Sequence, residues 1–209
     1  MPQLHSITDI TEQVAEAWGV TGAALAVLHR RVRDLHAQKR IAVAAIQGGR
    51  KTALFDLREV VRAIILLALL EAGFDAKTLA EAEHWLDRAI GDGLGFPALN
   101  GTWPPVGLDA LIHAVEEGQS DLDFALYVRR DVETGERFVV GRFERDGKHG
   151  YGEGDLQSLS GPDADGVEAW AIDEGGERMA RYAPRLTIAR VVLPASALVR
   201  PFVLLPDGD

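Results

Sequence analysis

The sequence predicts an α+β fold: four helices and a β-hairpin in residues 1–90, a Gly/Pro-rich stretch over 91–107, and a smaller β-rich part with one short helix over 108–209. Three observations carry this reading. Apolar residues before position 90 recur at helical spacing, with Gly19 and Gly73 closing two of the runs. Residues 91–107 gather Gly and Pro so densely that neither a helix nor a central strand can persist there. After position 120, short runs rich in Val, Phe, Tyr and Ile alternate with hairpin-like turns.

Ile7, Ile10, Val14 and Ala17 define the first helix, with Thr8 or Thr11 as N-cap and Gly19 as its stop. Val20 plugs a corner, Thr21 is placed to cap the next helix, and Gly22 to Ala37 forms that helix with Leu25, Leu28, Val32 and Leu35 as its buried stripe. Together these make a helix-turn-helix. Ile41 to Ile46 reads as a strand, Gln47-Gly48-Gly49-Arg50-Lys51 as a tight turn, and Thr52 to Phe55 as the returning strand. Asp56 then caps a long helix, Leu57 to Ala72, closed at Gly73, and Asp75 caps a further helix from Ala76 to about Ile90.

Phe96 and Trp103 suggest that the 91–107 stretch docks against its neighbours, with Trp103 bridging domains or subunits. Trp18 and Trp85 fall on helix faces expected to be buried. Leu108 to Glu117 is a short helix, and Leu122 to Arg130, Glu136 to Glu144, Val167 to Ile172 and Leu186 to Leu193 are strands. Residues 146–166 form a Gly/Asp/Ser-rich loop. Val199 to Leu205 reads as an edge strand, because Pro201 cannot donate to a ladder on both sides.

The net charge of −10 argues against nucleic-acid binding for the chain as a whole, but its distribution reverses that locally. Between His29 and Lys51 stand seven Lys/Arg against the single acid Asp34, whereas from residue 61 onward there are 14 against 26 acids. A small basic patch on an acidic body suits a nucleic-acid reader whose other half faces elsewhere. The absence of Cys excludes disulfides and thiolate metal sites and favours a reducing compartment. Met1 to Ile10 lacks the apolar core of a secretory signal, and the apolar run Ala63 to Leu70 is too short to span a bilayer. The expected location is cytoplasmic and nucleoid-associated, with no membrane partner.

Residues 8–90 resemble the DNA-binding domain of MerR-type regulators and the related excisionase-type winged helix. The resemblance rests on Val14-Ala15, Val20-Thr21 and Leu25, on the hairpin with Arg50, on Phe55-Asp56-Leu57, Val60 and Ile64, and on Leu69-Leu-Glu-Ala-Gly-Phe74 with Leu79. It implies a winged helix-turn-helix whose second helix lies in the major groove of double-stranded DNA while the hairpin wing reaches adjacent phosphates and the minor groove. The expected DNA-binding residues are Thr21, Gly22, Ala26, His29, Arg30 and Arg33 on the helix, and Arg50 and Lys51 on the wing. Where the family carries an Arg and an aromatic residue after the recognition-helix Leu, this chain has Ala26, Val27 and Leu28, so individual base contacts do not transfer. The family's long dimerising helix is also missing.

One recognition helix and one wing offer few phosphate contacts, so a homodimer across a palindrome is expected. The part from 108 to 209 is then left for oligomerisation, a protein partner or a small ligand. Elsewhere the chemistry is sparse. His29 and His36 lie seven residues apart, which is not chelating spacing. The Lys148-to-Asp155 loop, with His149 and Glu153, offers mixed acid, base and aromatic groups. No phosphate loop, nucleophile elbow or His-Glu helix motif is present. The acids Asp163, Asp165, Asp173, Glu174 and Glu177 lack calcium-loop spacing. The chain therefore reads as a transcriptional regulator without enzymatic activity, cofactor or metal. The alternatives are a winged-helix interaction module that does not bind DNA, and an enzyme or ligand binder built on the C-terminal loop.

Overall fold

The computed structural model describes residues 3–48, 51–90, 94–103, 105–132, 134–145, 148–149, 167–172, 178–183 and 185–204. The fold is α+β as expected, with six helices and three antiparallel sheets among these residues.

Helix α1 (Ile7–Trp18) is capped earlier than expected, by Ser6 rather than Thr8 or Thr11. Ser6 Oγ accepts the Asp9 N–H at 3.2 Å and the Asp9 carboxylate accepts the Ser6 N–H at 2.7 Å, a reciprocal capping box. The Thr11 hydroxyl instead turns back to the Ile7 carbonyl at 2.7 Å. Ile10, Val14 and Ala15 are buried, whereas Ala17 is exposed. Helix α2 spans Ala23–Ala37. Strand β1 (His5–Ser6), which the sequence pattern did not suggest, pairs with β3 (Thr52–Phe55), and β3 pairs in turn with β2 (Ala45–Gln47). The strand expected over Ile41 to Ile46 is thus shorter. Ile41 folds into the core and the Ala42 N–H is taken by Glu59 Oε2 at 2.8 Å, so ladder pairing begins only at Ala44.

Helix α3 (Leu57–Glu71) is capped by Asp56, whose Oδ1 accepts the Glu59 N–H at 3.0 Å. Every residue from Glu59 to Leu67 is buried, so this helix is apolar on nearly all sides and forms the spine of the core. Helix α4 (Ala76–Leu86), capped by Asp75, ends before Ile90. It stops where Asp87 turns to meet Arg62 and Arg58, at 2.7 and 2.9 Å. The 91–107 stretch is docked where it is described: Leu94 and Phe96 are buried, and Ile90 N–H bonds to the Pro105 carbonyl. Trp103, expected to dock, is instead 62% exposed. Its bulk finds no wall because Leu99 and Thr102 close a tight Asn100-Gly101 turn that holds it out.

After α5 (Gly107–Glu116) come β4 (Leu122–Asp131), β5 (Arg137–Arg145), the two-residue β6 (Lys148–His149) and β9 (Arg185–Leu193), in the sheet order β6-β5-β4-β9. β7 (Val167–Ile172) and β8 (Arg178–Ala183) form a separate hairpin, and β8 was not foreseen. Leu122, Phe124, Leu126, Val139, Phe143 and Leu193 join the same apolar cluster as α3, so the core runs on across the 91–107 stretch. Trp85 of α4 donates its indole N–H to the Val139 carbonyl at 3.0 Å. A Cβ at Gly141 would stand 2.7 Å from the Trp85 Cβ, so only glycine lets α4 approach β5 this closely.

The edge strand expected over Val199 to Leu205 is overturned. Ala195–Val203 is a helix, α6, with Pro201 inside it, so among the described residues the C-terminal part has two helices where one was expected. Buried Ala195, Ser196, Val199 and Phe202 follow helical spacing, and burial against α3 and α5 outweighs the backbone bond that Pro201 forgoes. Ser196 Oγ fastens the helix to β4 by bonding both the N–H and the carbonyl of Leu122. No helix among the described residues is long and apolar enough to cross a membrane.

Candidate nucleic-acid interface

The corner between α1 and α2 is made by two glycines. Gly19 closes α1 in the left-handed region at φ 66°, and its N–H returns to the Ala15 and Glu16 carbonyls. Val20 N–H bonds to the Ala15 carbonyl at 2.8 Å, and the half-buried Trp18 and Val20 side chains pack on the core. Gly22, at φ 60° and ψ −132°, occupies the N-cap of α2 and makes no side-chain bond. The expected Thr21 cap is therefore absent. The chain reverses at a conformation open essentially to glycine, which leaves Thr21 outside the helix and exposed. Neither a side-chain cap nor an acidic residue occupies the first turn of α2, in contrast to α1, with its Ser6 cap and Asp9, and α3, with its Asp56 cap and Glu59.

Helix α2 buries only Leu28, Val32 and Leu35. Leu25, expected in that stripe, is 36% exposed. Thr21, Gly22, Ala26, His29, Arg30 and Arg33 are all exposed, as is Lys51 on the hairpin. Arg50 lies outside the described residues, as do Glu153, the acids Asp163, Asp165, Asp173, Glu174 and Glu177, and the side chain of His149. Lys51 adopts φ 50° and its N–H bonds to the Gly48 carbonyl at 3.2 Å, so the turn is tight as expected.

The basic stretch divides into two kinds of cation. Arg31 pairs with Glu71, and Arg40 pairs with Glu83 at 3.0 Å while also donating to the Ala76 carbonyl at 2.9 Å. Those two tie the corner to α3 and α4. Burial pushes the Glu83 carboxyl up, with Arg40 only partly offsetting it. Arg30, Arg33, Lys39 and Lys51 are exposed and have no ion-pair partner among the described residues. Asp34, four residues after Arg30, forms no ion pair with it. His36 is half-buried, and its ring meets Phe55 edge-on at 5.4 Å between centroids, so it braces α2 against the root of the hairpin.

Sequence reasoning missed the apolar residues on this surface. Val27 is 38% exposed, Val43 39% and Ile46 68%. The signal was present in Ala23-Ala24-Leu25-Ala26-Val27, five apolar residues in succession where one helix face can bury no more than two of them. Among the described residues no group of three His, Asp or Glu is placed to hold a metal ion. Compared with protein-family models, curated proteins and solved structures, the chain matches none of them.

Proposed function

We propose that this chain is a sequence-specific DNA-binding regulator of the winged helix-turn-helix kind. In this reading α2 enters the major groove of double-stranded DNA, and the hairpin bearing Arg50 and Lys51 lies on neighbouring phosphates. The observation that carries it is the set of exposed, unpaired cations Arg30, Arg33, Lys39 and Lys51, gathered in the α2-to-hairpin segment of a chain with net charge −10. Arg31 and Arg40, in the same segment, are by contrast tied down by Glu71 and Glu83, and Arg58 and Arg62 of α3 also have carboxylate partners. The uncapped start of α2 adds free backbone N–H groups suited to a phosphate. Two copies across a palindrome supply the contacts that a single copy lacks.

The test is fluorescence-anisotropy binding of the full chain to double-stranded genomic fragments across a salt series, beside Arg30→Glu, Arg33→Glu and Lys51→Glu. Selective binding that falls steeply with salt and collapses in the variants supports the reading. Equal, weak binding by all of them refutes it.

The exposed Leu25, Val27, Val43 and Ile46 favour a second reading, in which the same corner docks a protein and not DNA. Leu25→Ser with Val27→Ser separates the two, because it removes the apolar contact a protein partner would need without adding negative charge to the helix that would face DNA.

A further inference from the structure

A sizeable cavity lies away from the basic corner. A cleft of about 770 Å³ opens between β1, the start of α3, the 99–100 turn, α5 and the end of α6, so its walls come from both ends of the chain. Six ionisable side chains converge on it: His5, Asp56, Arg58, Asp109, His113 and Glu116.

The charge within the cleft is not balanced. Arg58 is already held by Asp87 at 2.9 Å and Asp109 at 3.2 Å, which uses its single positive charge twice. Asp56 spends one carboxylate oxygen on capping α3, and neither Asp56 nor Glu116 has an ion-pair partner among the described residues. His5 lines the cleft although it is only 4% exposed. Its Nδ1 lies 3.4 Å from Gln13 Nε2, and its Nε2 has no partner among the described residues. Burial pushes His5 down, only partly offset by Asp9, so at neutral pH it adds no positive charge to the cleft. Leu57 and Phe202 supply apolar wall between these polar groups.

We infer that this cleft is a binding site for a small organic cation, an amine or guanidine on an apolar body, with the charged end held by Asp56 and Glu116 and the body against Leu57 and Phe202. An anion is disfavoured by the two uncompensated carboxylates and by the engagement of Arg58. The site stands independently of the DNA reading.

Isothermal titration of the full chain with spermidine, agmatine and tyramine, and with phosphate and glutarate as anionic contrasts, tests it. The expected result is saturable one-to-one binding of at least one cation. That binding should weaken at least tenfold in Asp56→Asn/Glu116→Gln, where the Asn side chain still caps α3. Ile112→Trp, which fills the cleft without changing charge, should weaken it as well, with circular dichroism reporting an unchanged fold in both variants. No saturable binding of the three cations overturns the inference. So does binding that both variants leave intact, which would mark diffuse attraction to an acidic chain, and so does preferential binding of the anions.

Discussion

Helices α2 and α3 are both 15 residues long, yet they serve the molecule in opposite ways. α3 is capped by Asp56 and buried from Glu59 through Leu67, whereas α2 is uncapped, buries three residues and exposes Leu25 and Val27. A helix that contributed only to the core would have no reason to carry an unsatisfied first turn and an apolar stretch open to water. The difference shows where this chain invests in stability and where it leaves chemistry available for something outside itself.

The sharpest way to break the comparison is to truncate the two helices in parallel. Leu66→Ala, in the middle of fully buried α3, is expected to cost about 2–5 kcal/mol. Leu25→Ala on α2 should stay within about 0.5 kcal/mol, as surface substitutions do. Urea denaturation measures both, and equal losses would show that α2 is as deeply structural as α3. Next in size is Arg30→Glu with Arg33→Glu, expected to reduce DNA affinity at least tenfold while the urea midpoint holds. A fall in stability of the same order would place these arginines in the fold and not at a partner.

Asp56→Ala removes the α3 cap and should cost about 1 kcal/mol. No equivalent loss is available at α2, whose cap position makes no side-chain bond.

A smaller, pH-dependent contrast separates the same two helices. Burial alone would raise the Asp87 carboxyl, but the Arg62 and Arg58 guanidinium groups more than offset this and hold it below its ordinary value. A carboxyl depressed in the folded state stabilises fully above its unfolded value of about 3.9, and that contribution is lost as pH falls through the folded value. The anchor of α3 should therefore weaken below about pH 4, and Asp87→Asn should flatten the acid limb of stability against pH. Arg30→Gln, with no carboxylate partner to lose, should leave that limb unchanged.

Much of the N-terminal half was legible because its boundaries rest on local chemistry. Asp56 and Asp75 as caps, and Gly19 and Gly73 as left-handed stops, act within one turn of their own position. What escaped depends on distant partners. β1 is two residues long and exists only because Phe55 and Leu54 are there to pair with it. α6 hides behind Pro201, and its helical spacing emerges only when Ala195 and Ser196 are counted with Val199 and Phe202. α4 ends at Leu86 because Arg62, on another helix, draws Asp87 away. The exposed cations of α2 could be anticipated from helical periodicity alone. The cleft could not, since His5, Asp56 and His113 meet only through the packing of β1, α3 and α5.

The shared core also sets a timetable. α3 receives cover from α6, whose last residue leaves the ribosome long after α3 is made. At roughly 5–20 residues per second, the about 130 residues between the two helix ends take on the order of ten seconds to synthesise. Throughout that interval this largely buried helix stands partly uncovered. Newly made protein is then most exposed to self-association and to chaperone capture, and the final nine-residue helix acts as the latch that ends the hazard.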